Sequence, residues 1–304
     1  MKNNVLIITL ILCFYANLGI SQERYKDAVF SEIDSETYTY IDSLQLDFYH
    51  ANDDKAIIKP LLLLVHGGGF SSGKRDNPVE KQFSVEMAKK GYAVASMSYR
   101  LTRKGTATGF GCDCPSEEKI KTFNASSEDV LSATKFLISK SKTLKINPEK
   151  IILVGSSAGA EAVLNTVYMK GSNTTQNLTY GNIAYAGVIS FAGAIVDIDD
   201  LNEKNAIPAF LFHGIKDNLV PYGQAAHHYC DEGTPGYLML YGSKPIADKL
   251  SALGVSYILA TDPEGNHDWA NLAYGYTNEI ANFIEEAILN NEKIQSNIQL
   301  SSKK

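Results

Sequence analysis

Six short apolar runs, at residues 61–65, 92–97, 151–154, 186–191, 207–212 and 255–259, alternate along the chain with segments of helical spacing at 79–89, 125–138, 160–169, 221–229, 246–253 and 270–289. Runs of that length, interrupted by no more than a lone serine, suit strands buried on both faces. Parallel neighbours need crossover connections, so strands alternating with helices imply a mostly parallel sheet with helices packed on both sides. Upstream, Tyr38, Tyr40, Leu44, Leu46 and Phe48 fall on even positions. Such a period of two predicts an antiparallel hairpin at the N-terminal edge of the sheet. The expected fold class is therefore α/β, a mostly parallel central sheet with an antiparallel N-terminal edge and helices on both faces.

A chain of 304 residues with 44% hydrophobic and 20% charged residues can bury one large core. No repeat, low-complexity tract or Pro/Gly/Ser linker divides it, so residues 22–290 read as one domain, followed by a polar tail, 291–304, expected to fray. The net charge of −6 and the scattered Lys and Arg residues exclude nucleic acid and anionic lipid surfaces as partners.

Residues 1–21 have a different texture: Lys2, an apolar run over 5–15, then small and polar residues to Ser21. They read as a secretory signal peptide cleaved near Ser21 and Gln22, which predicts export to the periplasm or beyond. The run is too short to cross a bilayer, and no second stretch reaches the needed length, so no membrane insertion is expected. Cys13 lies within the apolar run behind the large Leu12, which disfavours lipidation. Export leaves Cys112, Cys114 and Cys230, an odd number, in an oxidising compartment. A bridge between Cys112 and Cys114 would close a very small ring, so one of them is expected to pair with Cys230. A metal site of these cysteines with His227 or His228 is the weaker alternative, because the ligands are dispersed. Residues 102–123 and 231–244 interrupt the strand and helix rhythm, and a disulfide between them would build a pocket wall.

Gly155-Ser156-Ser157-Ala158-Gly159 follows the apolar run 151–154 directly and opens the helical segment after it. G-x-S-x-G between a strand and a helix is a turn so tight that side chains at the flanking positions would strike their neighbours, leaving the serine hydroxyl exposed at the end of the sheet. A helix-capping serine turn is the plainer reading of the pentapeptide. Serine chemistry also needs donors for an oxyanion. His66-Gly67-Gly68-Gly69-Phe70 after the run 61–65 provides an unencumbered backbone for that purpose. A phosphate loop would require a different spacing, G-x-x-x-x-G-K-[ST].

With these two motifs the chain resembles the α/β-hydrolases over nearly all of its mature length. The His-Gly-Gly-Gly signature is that of the hormone-sensitive-lipase-like and carboxylesterase branches. The resemblance implies the order nucleophile, acid, histidine along the chain, with Ser157 as nucleophile and Gly68, Gly69 and Ala158 as oxyanion donors. His213-Gly214-Ile215-Lys216-Asp217, continuing to Val220-Pro221, is similar to the family's acid loop and implies Asp217 as the acid. Asp262 is a rival, and Asp197, Asp199 and Asp200 read as a solvated loop. For the base, chain order leaves His267, in a loop after the run 255–259; His50, His66, His213, His227 and His228 all precede it.

Some residues depart from that pattern. Ser156 stands where hormone-sensitive-lipase-like enzymes commonly have Asp, and the acid loop looks more like that of exported acetyl or feruloyl esterases and prolyl-oligopeptidase-type hydrolases. Glu161, one turn after Ser157, reads either as a neighbour of the site or as part of a solvated face. Tyr99-Arg100 resembles a motif of exported esterases in which the arginine is structural. The expected function is an exported serine esterase, acting without metal or organic cofactor on short-acyl or carbohydrate-linked esters. A peptidase or amidase of the same fold and a non-catalytic binding protein are the alternatives. Oligomeric state and the identity of acyl and alcohol portions stay open.

Overall fold

Leu61, Leu63 and Val65 of β3 (Lys59–Val65) point into one hydrophobic layer and Leu62 and Leu64 into another, on opposite faces of a central sheet. This double burial explains why the strand has no polar alternation. The structure is a computed structural model that describes residues 23–170 and 178–302. The expected signal segment, 1–21, lies outside the described residues.

The sheet also contains β1 (Ile33–Ile41), β2 (Leu44–Ala51), β4 (Ala93–Met97), β5 (Ile146–Ser156), β6 (Gly187–Phe191), β8 (Ala209–Gly214), β11 (Tyr257–Asp262) and β12 (Gln295–Gln299). Its order is β1-β2-β4-β3-β5-β6-β8-β11-β12. β1 pairs antiparallel with β2, and β2 antiparallel with β4, giving the expected N-terminal edge. From β4 to β12 every pairing is parallel. A small separate sheet joins β7 (Ala194–Ile195), β10 (Met239–Gly242) and β9 (Gln224–Ala226) in that order.

Helices cover both faces. α1 (Pro78–Lys89), α6 (Trp269–Leu272) and α7 (Thr277–Phe283) contribute Phe83, Met87, Trp269, Ile280 and Phe283 to the layer that holds Leu62 and Leu64. α2 (Ser116–Ser139), α4 (Ala158–Tyr168) and α5 (Ser243–Ala252) contribute Phe123, Val130, Val163 and Ile246 to the other. A short α3 (Ser141–Leu144) links α2 to β5. Among the described residues no helix is long and apolar enough to cross a membrane.

Four local expectations are corrected. Residues 295–300 are not a frayed tail: β12 extends the sheet beside β11, and Leu300 N donates to Thr261 O at 2.7 Å. Ile294, Ile298 and Leu300 pack against the core at alternate positions, a weak period-2 signal hidden among polar residues. Residues 221–229 are not one helix: the small sheet takes Gln224–Ala226, His227 N donates to Leu238 O at 2.8 Å, and a single 3-10 turn follows at His227–Tyr229. α2 begins at Ser116, earlier than periodicity implied; Pro115 precedes it, and Glu117 and Glu118 in the first turn complement its dipole. The final helical segment is broken by a 3-10 turn (Ala273–Gly275) and ends in a π turn (Ile284–Leu289).

Candidate active site

β5 carries the chain to Ser157, where φ = 50° and ψ = −121°, a conformation costly for a residue with a Cβ. Ser157 N donates to Phe191 O of β6 at 2.8 Å, and Glu161 N to Ser157 O at 2.9 Å, so the turn is tied to the sheet and to α4 together. Gly159 allows the close approach: a Cβ there would lie 2.1 Å from Val65 O. The chain reverses as tightly as the motif required, and its hydroxyl faces a cavity of about 500 Å³ at the carboxyl end of the sheet.

Two loops from neighbouring parallel strands meet that hydroxyl. Ser157 Oγ lies 2.8 Å from His267 Nε2, and His267 Nδ1 lies 2.7 Å from Asp217 Oδ2. A carboxylate only accepts, so Nδ1 carries the proton and Nε2 is left free to accept from the serine hydroxyl. Asp217 is buried, and its other oxygen accepts from the Leu219 and Val220 amides at 2.8 and 3.0 Å. Burial alone would raise the Asp217 carboxyl, but the His213 and His267 donors outweigh it and hold the group well below the usual carboxylate range. Thus Asp217 is a fixed anion, His267 a half-buried base of defined tautomer, and Ser157 its hydrogen-bond donor.

Asp262, the rival acid, has different work. It accepts from the Trp269 indole at 3.1 Å, from Glu264 N at 3.0 Å and from Ser302 N at 2.8 Å, bracing the histidine loop from below. Asp199, in the loop read as solvated, pairs with Lys249 at 3.6 Å.

Gly67, Gly68, Gly69 and Ala158 line the same cavity as Ser157. Gly68 has φ = 118°, and a Cβ there would lie 2.3 Å from Ser72 O, so this turn admits no side chain. His66 stacks on Tyr99 with ring centroids 4.5 Å apart, and Tyr99 Oη donates to His66 O at 3.0 Å. Arg100 next to it binds Asp129 at 2.8 Å and holds β4 to α2, the structural part its motif implied.

Several supporting residues carried no role in the sequence reading. Ser156 Oγ donates to Ala270 O at 2.7 Å, tethering the segment just after His267. His213 Nε2 faces both Val220 O at 3.1 Å and Asp217 Oδ2 at 3.3 Å, while Nδ1 meets Ser243 Oγ at 2.8 Å. The four-residue spacing of His213, near the end of β8, and Asp217, in the loop after it, was the available signal. Cys112 and Cys230 form a disulfide, and Cys114 is a buried free thiol. The bridge consumes two ligands of the metal alternative and joins the two interrupting segments, so that Phe110, His227 and His228 become one wall of the cavity.

Residues 46–205 match the BD-FAE family, and they include both glycine motifs and the serine turn. The chain belongs to the BD-FAE family. This is an esterase family of the α/β-hydrolase type. Among solved structures, the BD-FAE chain is similar to Thermogutta terrifontis esterase 2 phosphorylated by paraoxon, with TM-score 0.61 and 20% identity over 83% of this chain and 94% of that one. It also resembles MGS-M1, an alpha/beta hydrolase enzyme from a Medee basin deep-sea metagenome library, with TM-score 0.52 and 15% identity over 83% of this chain and 100% of that one. At such identities these likenesses speak for the fold. Esterase B1 of Culex pipiens is 28% identical over 122 residues, 40% of this chain and 21% of that protein. The non-reducing polyketide synthase atr1 of Stereocaulon alpinum is 24% identical over 197 residues, 62% of this chain and 7% of that protein. The matches thus span only a small part of these two curated relatives.

Proposed function

We propose that this BD-FAE protein is an exported serine carboxylic-ester hydrolase acting on small, short-acyl or carbohydrate-linked esters. The observation that carries the reading is the continuous hydrogen-bonded line from Ser157 through His267 to Asp217, opening on a cavity lined by Gly68, Gly69 and Ala158.

In this reading His267 Nε2 takes the Ser157 proton as Oγ attacks the ester carbonyl. Asp217 holds the imidazole in its tautomer and stabilises the imidazolium that forms. The amides of Gly68, Gly69 and Ala158 receive the oxyanion. Collapse of the tetrahedral intermediate passes the proton from His267 to the leaving alcohol, and water then repeats the sequence on the acyl-enzyme. A cavity of about 500 Å³ supports small substrates. Related structures of Thermogutta terrifontis esterase 2 are butyrate bound and propionate bound, which favours short acyl groups here too. The Cys112–Cys230 disulfide favours an oxidising compartment, in keeping with the leader-like residues 1–21.

The test is hydrolysis of p-nitrophenyl esters from acetate to decanoate by the mature protein and its Ser157→Ala variant, with paraoxon labelling of Ser157 alongside. We expect highest kcat/KM on the shortest chains and a loss on the order of 10⁴ or more in the variant. A folded protein that hydrolyses none of the esters and resists paraoxon would sink the reading.

A further inference from the structure

One wall of the cavity consists of polar side chains that the Ser157, His267 and Asp217 line does not use. Glu161 projects from α4 one turn after Ser157, and His227 arrives on the segment that the Cys112–Cys230 bridge ties to the Phe110 loop. Their side chains are 2% and 1% exposed. Glu161 Oε1 lies 3.3 Å from His227 Nε2, yet Glu161 Oε1 and both His227 ring nitrogens have no hydrogen-bond partner in the protein. Both residues line the cavity that holds Ser157. Buried polar groups in native proteins are nearly always hydrogen-bonded, so Glu161 Oε1 and His227 Nε2, in contact without a hydrogen bond, and the open His227 Nδ1 leave capacity for a partner that enters the cavity of Ser157.

The electrostatics narrow what that partner is. Burial pushes the Glu161 carboxyl well above its usual range, only partly offset by Lys119, and pushes the His227 imidazole well below its own. Burial thus works against the charged form of each group, and a carboxyl and an imidazole together present both donors and acceptors. A hydroxyl, which both donates and accepts, can pair with either group. The Phe110 and Phe123 rings pack against His227 at centroid distances of 5.1 and 6.2 Å, and the His228 ring at 4.3 Å.

We propose that Glu161 and His227 form a subsite for a substrate hydroxyl close to the scissile ester, selecting hydroxylated esters over plain alkyl ones. This rests on the esterase reading above and names the chemistry of its substrate. The hydroxyl has two sources, a hydroxyacyl group or a polyol alcohol, and different substrate pairs separate them.

Acid release in a pH-stat would be followed for methyl butyrate against methyl 3-hydroxybutyrate, and for ethyl acetate against glycerol monoacetate. The proteins are wild type, Glu161→Leu, Glu161→Gln and His227→Phe. We expect wild type to favour the hydroxylated member of one pair by about tenfold in kcat/KM, equivalent to about 1.4 kcal/mol. Glu161→Leu and His227→Phe should bring that ratio within about twofold of one, whereas Glu161→Gln, which keeps a donor and an acceptor, should retain most of it. Each ratio is taken within one protein, so a misfolded fraction cancels. Wild-type ratios near one in both pairs, or a preference that survives both Glu161→Leu and His227→Phe, would overturn the subsite alone. Inactivity toward all four esters would also overturn it, and paraoxon labelling of Ser157 would then decide whether the esterase reading falls too.

Discussion

His213 Nε2 lies 3.3 Å from Asp217 Oδ2, the same carboxylate oxygen that meets His267 Nδ1 at 2.7 Å. Since Nε2 faces two acceptors, Val220 O and Asp217, it carries the proton, and Nδ1 accepts from Ser243 Oγ. His213 is thus a buried donor that holds Asp217 from a second direction. His213→Leu removes that donor and leaves Val220 O and Ser243 Oγ unpaired. We expect a stability loss of about 1–3 kcal/mol and a fall in kcat of roughly tenfold with a smaller change in KM, the pattern of a lost orienting contact. Urea unfolding and p-nitrophenyl acetate kinetics measure both.

The approach of α4 to β3 leaves no room at Gly159. In Gly159→Ala the new methyl would meet Val65 O at 2.1 Å and His66 O at 2.6 Å, both backbone atoms that cannot rotate away. The helix must shift off the strand, which separates the serine turn from the glycine loop. Expected are a destabilisation of about 3 kcal/mol or more and loss of esterase activity in whatever fraction still folds. Wild-type thermal stability in this variant would contradict the packing described.

Cys112 and Cys230 are separated by 118 residues, so their bridge constrains a large loop of the unfolded chain. Cys112→Ser or Cys230→Ser should cost about 2–5 kcal/mol. Because the bridge also holds Phe110 and His227 in the cavity wall, KM should rise in these variants. Dithiothreitol should reproduce both effects in wild type and leave the serine variants unchanged.

Asp262 gives a pH signature. Burial alone would raise its carboxyl, but donors from Ser302, Glu264 and Trp269 outweigh it and bring the group down to about 2. A carboxyl depressed in the folded state stabilises above its unfolded value and loses that stabilisation as pH falls through the folded one. Asp262→Asn should therefore be less stable than wild type at pH 7, by about 1 kcal/mol after allowance for solvent screening. The gap should shrink as pH falls from 5 toward 2. Thermal midpoints of both proteins across that range provide the check.

Much of the scaffold was legible because parallel strands buried on two faces must be apolar there, as at 61–65 of β3 and 151–154 of β5. The glycine motifs were legible because close backbone approach excludes side chains, as at Gly159. β12 was not: an edge strand buries only one flank, so Ile294, Ile298 and Leu300 sufficed and polar residues filled the rest. Residues 221–229 were misread because a helix and a short strand anchored by neighbours both tolerate their composition.

The sequence by itself determined the alternation of the central strands with their helices, the serine turn, the glycine loop and the three residues worth watching, since each depends on local sterics or on burial patterns that a short segment records. Only the tertiary structure decided which acid faces His267, because Asp217 and Asp262 both follow strands and differ in what lies across from them. The same is true of Cys112 over Cys114 as the partner of Cys230, and of Glu161 and His227 meeting in the wall of the cavity that holds Ser157. Those are distances between segments far apart in the chain, and they are set by packing of the whole sheet.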